Sequence, residues 1–499
     1  MAIAALPQDP DLGQLRNQAR ELRRAVGCDE PGALSRASRW HLDQPPTAQF
    51  PLTAAQLVLA REHGFSSSAG LRRYVQIVTA KARTPDKPAP EDEPLVDRFL
   101  RLACLTYSDE ASDQSRAAQL LSDNPDLPRR DLFVAAACAD VRALRSHLAG
   151  RSDAASVTGG PHGWSPLLYQ AYARHDPRIG HAATLETARL LLDAGADPND
   201  GRFWHALPTP FTVLTGVLGY GERREPWHPH AIALARLLLD AGADPNDGQT
   251  LYNRMFSDND DHLVLLFEHG LGRDTNGPWH RLLGNSLESP TEMLRSLLAW
   301  AVTHDQRARV ELLARQGIDV ISPFSEDRSP QGKTPVEAAI TSGHRDLAEQ
   351  LLALGAHPPR LRPADAFVAA ALAGDSDAVA GTAPDVIASV RRRRTGLVTW
   401  TAAQGAPNAV ELVVSVGFDV NARGRSDVAG NQPLHTALHV AAEKGDLALA
   451  QKLLDLGADP DITDKHYNST PLGWARYFEQ QALIELLEPV SGNDSATGQ

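Results

Sequence analysis

Apolar residues recur along this chain in short helical strings that stop at glycine. In residues 436–461, T-A-L-H-V-A-A-E-K-G-D-L-A-L-A-Q-K-L-L-D-L-G-A-D-P-D, a first string ends at Gly445. A second follows with Leu447, Ala450, Leu453 and Leu454 on one face and ends at Gly457. Neither predicted helix is long enough to persist alone, so each needs a neighbour of the same shape to cover its apolar face. The string A-R-L-L-L-D-A-G-A-D-P-N-D occupies residues 188–200 and returns letter for letter at 235–247. Identity over that length at a fixed register marks an internal repeat. Weaker copies end at Gly270 and Gly317, a good one at Gly355, another at Gly417, and a truncated unit spans 364–381.

Thr436 to His439 stands where the ankyrin repeat has its T-P-L-H, and Gly457 to Asp461 where it has G-A-D-x-N, so the unit resembles an ankyrin repeat. The resemblance implies that Thr436 and Thr334 cap first helices and that His439 ties neighbouring loops by hydrogen bonds. It also implies that Gly195, Gly242, Gly355 and Gly457 end second helices in a left-handed conformation. Ala437 replaces the usual proline, a mild departure because proline at the first turn helps a helix without being required. The expected fold class is all-α: an ankyrin-repeat solenoid of stacked helix-turn-helix units over residues 131–489, about nine or ten pairs, behind a small N-terminal helical module.

That module covers residues 1–81. Residues 11–26 place Leu12, Leu15, Ala19, Leu22 and Val26 on one helical face with Arg16, Arg20, Arg23 and Arg24 elsewhere. Further helices are predicted over 30–39, 53–63 and 68–82, and the A-Q-L-V-L-A-R-E-H-G-F stretch at 55–65 resembles a segment found ahead of repeat or enzyme domains in actinobacterial proteins. Residues 82–94, rich in proline and charge, read as a linker, 95–130 as capping helices leading into the array, and 490–499 as a disordered polar tail.

Composition narrows the class. At 499 residues the chain exceeds one compact core, and its net charge of -13 argues against a coat for nucleic acid or an anionic membrane. Cys28, Cys104 and Cys138 form no C-x-x-C pair, which suits a reducing compartment. The N-terminus lacks a basic start and no stretch approaches a spanning helix, so a soluble, cytoplasmic protein without a membrane partner is expected.

The spacing between terminating glycines departs from the ankyrin unit of about 33 residues, so the excess must be looped out of the stack. Two adjacent units carry inserts between first and second helix, at 174–183 and 219–229, which stacking would bring side by side. Finger loops at 200–208, 320–333 and 421–433 are the second candidate surface. From these come the candidate partner-binding residues Phe203, Trp204, His205, Tyr220, Arg223, Arg224, Trp227 and His228, aromatic and cationic side chains of the kind that make binding hot spots. The bland reading of the same residues is that Tyr220 and Trp227 pin the insert while the charges face water.

His228 and His230 with Glu225, and His435 with His439, have half of a metal-site pattern but no third ligand at fixed spacing, so no metal is expected. Arg391 to Arg394 reads as a solvated segment of a degenerate unit, and nucleic acid is not the partner expected. No phosphate-cradling loop, nucleophile elbow or paired carboxylates are visible, so neither a catalytic site nor a cofactor is expected. The function expected is a scaffold that binds a protein partner through its concave face, finger loops and insert edge. The alternatives are an enzyme or small-molecule binder with a site among the inserts, and a nucleic-acid-associated regulator acting through the basic first helix.

Overall fold

The computed structural model describes residues 6–491 apart from 8–9, 41–49, 84–89, 91, 108–109, 111, 177–178, 205–208, 274–276, 327–329 and 427–432. The chain divides into two compact units, Met1–Leu297 and Leu298–Gln499. Both are mostly helical, and no helix among the described residues is long and apolar enough to cross a membrane.

The first unit opens with α1 (Leu12–Gly27), α2 (Pro31–Trp40), α3 (Leu52–Glu62) and α4 (Ser68–Lys81). The α1 stripe of Leu15, Ala19, Leu22 and Val26 is buried, as its helical spacing requires, and Asp11 caps the helix through Gln14 N at 2.7 Å. Then come β1 (Ala82–Arg83), α5 (Leu95–Ala103), α6 (Asp113–Asp123) and α7 (Leu127–Arg130).

Helical pairs follow: α8 (Leu132–Ala137) with α9 (Val141–Leu148), and α10 (Pro166–Tyr172) with α11 (His181–Asp193). After β2 (Gly201–Trp204) and β3 (Phe211–Thr212) come α12 (Val213–Leu218) with α13 (Ala231–Asp240) and α14 (Gly248–Met255) with α15 (Asp261–Glu268). First helices pack on first helices, α8 on α10, α10 on α12 and α12 on α14, while α9, α11, α13 and α15 form the parallel row of second helices. This is how segments of six to thirteen residues, each too short to be stable in isolation, hold their helical form. The unit ends with α16 (Pro278–Leu283) and most of α17 (Pro290–Thr303).

The all-helical expectation fails at one place. β2 pairs in parallel with β1 and antiparallel with β3, giving a three-stranded sheet in the order β1-β2-β3. Ala82 and Arg83, the first two residues of the expected linker, are thereby tied to Phe203 and Trp204. The described start of the expected finger, residues 201–203, is drawn inward: Phe203 is fully buried in a cluster with Leu15, Leu71, Tyr74 and Val78 of the N-terminal helices and with Trp279 of α16. Gly201, Arg202 and Phe203 are all buried in succession, so no alternation announces the strand.

In the second unit α18 (Arg307–Arg315) precedes the pair α19 (Pro335–Ser342) and α20 (Arg345–Ala353), followed by α21 (Pro363–Ala373) with the short α22 (Ser376–Ala380) and an extra helix, α23 (Pro384–Arg393). Three full pairs complete it: α24 (Leu397–Gln404) with α25 (Ala409–Ser415), α26 (Ala437–Lys444) with α27 (Leu447–Asp455), and α28 (Pro471–Tyr477) with α29 (Gln481–Leu487). α24, α26 and α28 pack in sequence, and one buried cluster runs from Phe367 to Leu487.

The repeat positions take the following form. Gly195, Gly242, Gly355 and Gly457 hold φ of +92, +98, +96 and +89, a region where a β-carbon is disfavoured. Thr334 and Glu337 cap α19 reciprocally, with Thr334 N donating to Glu337 Oε2 at 2.9 Å and Glu337 N to Thr334 Oγ1 at 3.3 Å. His439 Nδ1 accepts from Thr436 N at 3.2 Å, so Nε2 carries the proton and donates to Ser469 O at 3.0 Å, joining one pair to the next. His435, its neighbour one turn away, meets Ser426 Oγ at 3.0 Å.

Buried neutral histidines make both units acid-sensitive. Burial holds His439 down to about 4, His175 to about 4 and His162 to about 3. Each value lies below the ordinary 6.5, so the unfolded chain binds more protons in acid than the folded one. Stability is therefore full above about pH 6.5 and is lost as the pH falls toward 4, each such histidine adding a slope of up to about 1.4 kcal/mol per pH unit. Calorimetric melts from pH 7 to pH 4 should show a falling Tm, with a shallower fall for His439→Gln. An acid slope identical in wild type and variant would remove His439 from this account.

Candidate functional site

The insert edge of the first unit is built on Arg174, the residue after α10 and its C-cap Ala173. Its side chain is buried and its guanidinium donates to Pro226 O at 2.8 Å, Gly216 O at 2.6 Å and Ala173 O at 2.9 Å. One planar cation thus fastens the 219–229 insert to the preceding repeat, using the fork of donors that lysine lacks. The two inserts lie side by side. His230 Nε2 reaches Ile179 O at 2.7 Å, and the His181 and His230 rings meet edge to face at 5.2 Å. His230 N donates to His228 Nδ1 at 3.1 Å, and burial, reinforced by the Arg174 charge, holds His228 well below its ordinary value and so neutral.

The insert is tightly wound. Gly219, Tyr220, Gly221 and Arg224 have φ of +53, +67, +141 and +59. A β-carbon at Gly219 would come within 2.9 Å of Trp227 Cα and 3.0 Å of Pro226 O, so glycine is needed there on steric as well as conformational grounds. Tyr220 and Arg224 sit in the left-handed region without being glycine, a strain that persists only where the surroundings enforce it. Arg223 supplies part of that enforcement, donating from Nη2 to Tyr107 O at 3.0 Å and from Nε to Glu225 Oε1 at 3.1 Å.

This anchoring presents a rigid outward face. Trp227 is 43% exposed. Its inner face lies over the buried Arg254 guanidinium, 4.2 Å from ring centroid to Cζ, and Arg254 also lies 5.6 Å from the Tyr220 ring. The bland expectation, that Tyr220 and Trp227 pin the insert, thus describes one side of the indole while the other meets solvent. Tyr252 of α14, 40% exposed, donates its hydroxyl to Glu222 of the insert and packs edge to face on Phe256 at 5.4 Å. Arg224 is exposed and has no ion-pair partner among the described residues. Trp227, Tyr252 and Arg224 are therefore offered to solvent on a fixed backbone.

The other candidate residues divide by burial. Phe203 is enclosed against the N-terminal helices, 5.6 Å from the Trp279 ring, and His228 is buried in the seam between the inserts, so neither side chain is open to a partner. Trp204 is half-buried, with Phe211 at 5.9 Å and Tyr107 at 6.3 Å. His205 lies outside the described residues.

Sequence reasoning passed over Tyr252, whose signal is a Tyr252/Phe256 pair at i, i+4 on a weak repeat copy. It also passed over Tyr467 and Tyr477 in the second unit, 72% and 81% exposed. A tyrosine in a finger loop and one at a helix end show no periodicity that would have flagged them.

No curated protein matches the chain. Residues 417–473, which run from the glycine closing α25 through its finger loop and the pair α26–α27 into α28, match the family model described as ankyrin repeats (many copies), and this part of the chain carries ankyrin repeats.

Proposed function

We propose that the helical pairs of each unit stack as an ankyrin-type solenoid and that the protein is a recognition scaffold, binding a partner protein through the insert edge of the first unit. In this reading residues 131–489 are the array, 95–130 lead into it, 1–81 form an appended helical module and 82–94 connect the two. Ankyrin repeats generally mediate protein–protein interaction, which supports the class of function. The observation that carries the choice of surface is the exposed Trp227, with exposed Arg224 on the same insert and Tyr252 bonded to that insert through Glu222, on a backbone that Arg174 has already fixed. Aromatic and arginine anchors on preordered chain lose little entropy on binding, and interfaces concentrate their energy in such residues.

Trp227→Ala is expected to weaken the complex by about 2 kcal/mol, roughly thirtyfold in Kd, measured by titration of the captured partner well below the melting temperature. A modest Tm loss should accompany it, because the indole covers Arg254. An unchanged Kd in a folded Trp227→Ala protein would remove the insert edge as the binding surface.

A further inference from the structure

The second unit carries a cationic edge of its own. α23 occupies the place where the other pairs have a finger loop, between α22 and the next first helix, and it ends in Arg391, Arg392 and Arg393. Its C-cap residue Arg394 reaches Asp365 at 3.9 Å, and Arg391 Nη1 donates to Gly417 O at 3.3 Å. The arginine run therefore sits beside the turns where fingers begin.

The edge continues in both directions. On one side a polar socket of about 160 Å³ opens between the 331–333 loop and the 360–362 loop, lined by Lys333, Arg360, Arg362, Glu337 and Asp365 among others. Lys333 pairs with Asp365 at 2.6 Å, whereas the Arg360 and Arg362 guanidinium groups have no partner among the described residues. On the other side Gly396 packs directly against Gly424, Arg423 donates to Thr463 O at 3.0 and 2.8 Å, and Lys465 N donates to Leu434 O at 2.8 Å. The loops are thus laid one against the next, ending at Lys465 and the exposed Tyr467. Arg360, Arg362, Arg392, Arg393 and Lys465 are exposed on α23 and on these successively packed loops, in a chain whose net charge is -13. A cluster of exposed cations on an otherwise acidic chain is what electrostatic steering of an acidic partner requires.

We propose that this edge binds an acidic, extended segment of a partner protein, with a carboxylate seated in the Arg360/Arg362 socket and further carboxylates on Arg392 and Arg393. A protein segment fits better than nucleic acid, because Asp365, Glu337 and Asp385 are interleaved with the cations and would oppose a continuous phosphate backbone. Arginine is suited to bidentate capture of carboxylates. Packed helices lie about 8–10 Å apart, and a peptide in the extended polyproline II form rises about 3.1 Å per residue with about three residues per turn, so acidic residues at every third position share one face and match the spacing of the loops. This surface rests on the reading of the chain as a recognition scaffold but is separate from the insert edge.

The test is fluorescence anisotropy of the full chain with a labelled peptide of repeated Glu-Ser-Leu. The controls are the Lys-Ser-Leu peptide, a scrambled peptide with its glutamates contiguous, and a single-stranded oligonucleotide. The Glu-Ser-Leu peptide is expected to bind best, with affinity falling as salt rises. Binding should weaken about tenfold or more in Arg360→Glu/Arg362→Glu and in Arg392→Glu/Arg393→Glu, and stay within about twofold of wild type in Arg16→Glu/Arg72→Glu, which makes the same charge change on exposed residues of the N-terminal helices. All sites are at the surface, and matched melting curves confirm that each variant is folded. No binding of the acidic peptide, equal loss in all three variants, or tighter binding of the oligonucleotide lost in the same variants would overturn the proposal. Loss of this surface with Trp227-dependent binding intact would leave the insert-edge reading standing; the reverse result would remove that one alone.

Discussion

Gly216→Ala is expected to destabilise the first unit by about 3 kcal/mol, the upper range for overpacking a core, and Gly216→Leu to abolish its cooperative unfolding. Gly216 lies on α12, every residue of which is buried, and faces Tyr172 of α10. A β-carbon there would come within 2.9 Å of Tyr172 Cζ and closer still to Cε2 and Cδ2, and the ring cannot swing away because its hydroxyl donates to Thr212 O at 2.9 Å. The glycine therefore sets how closely two neighbouring first helices approach. At about 2–4 °C per kcal/mol for a unit of this size, the alanine variant should melt some 6–12 °C early. Gly27→Ala is the control: it lies at the end of α1 with nothing within 4 Å of the added carbon, and should be neutral or slightly stabilising. Equal melting temperatures for Gly216→Ala and Gly27→Ala would mean that α10 and α12 do not pack as described.

Arg202→Ala should cost about 4 kcal/mol, the scale of emptying a large core site. Arg202, 1% exposed, holds its guanidinium carbon 4.5 Å from the Trp164 ring, 5.1 Å from Tyr172, 5.3 Å from Phe211 and 5.8 Å from Trp204. Two effects oppose each other. Removing a guanidinium from water is costly, while each ring face presents negative charge to it, an attraction worth about 2 kcal/mol when desolvated. Arg202→Met separates them by keeping most of the volume and discarding the charge. If the rings win, Met loses about 2 kcal/mol and Ala about twice that; if desolvation wins, Met equals or exceeds wild type in stability. Urea unfolding followed by tryptophan fluorescence reads both variants.

These two residues also mark where the sequence was legible and where it was not. The helical pairs could be read because α11 and α13 each repeat an apolar face at helical spacing and stop at a glycine that must turn left-handed. The adjacency of the inserts followed from the shared register of 188–200 and 235–247, and the Arg174 and His230 bonds realise it. A projecting finger is the natural reading of β2 because Phe203 and Trp204 look like surface binding residues when nothing in the string shows that the N-terminal helices will cover Phe203. The placement of α23 was equally hidden: an arginine run has the same composition whether it is a solvated coil or a helix standing in for a finger. Long-range packing decides both cases, and periodicity records only local geometry.

The candidate site was legible in part for the same reason. Trp227, Tyr220 and Arg224 lie in an insert with no core position to fill, so their prominence could be read from the string. Tyr252 became part of the same face only through its bond to Glu222, thirty residues earlier in the chain.

In the function proposed, the stacked pairs form a recognition scaffold whose partner is held at the insert edge. Affinity capture from the native lysate tests it most directly, comparing wild type with Arg224→Asp/Trp227→Ala after circular dichroism has shown both to be folded. A protein retained by wild type and lost from the double variant is the expected result. Capture of the same proteins by both, or of none by wild type, would contradict it.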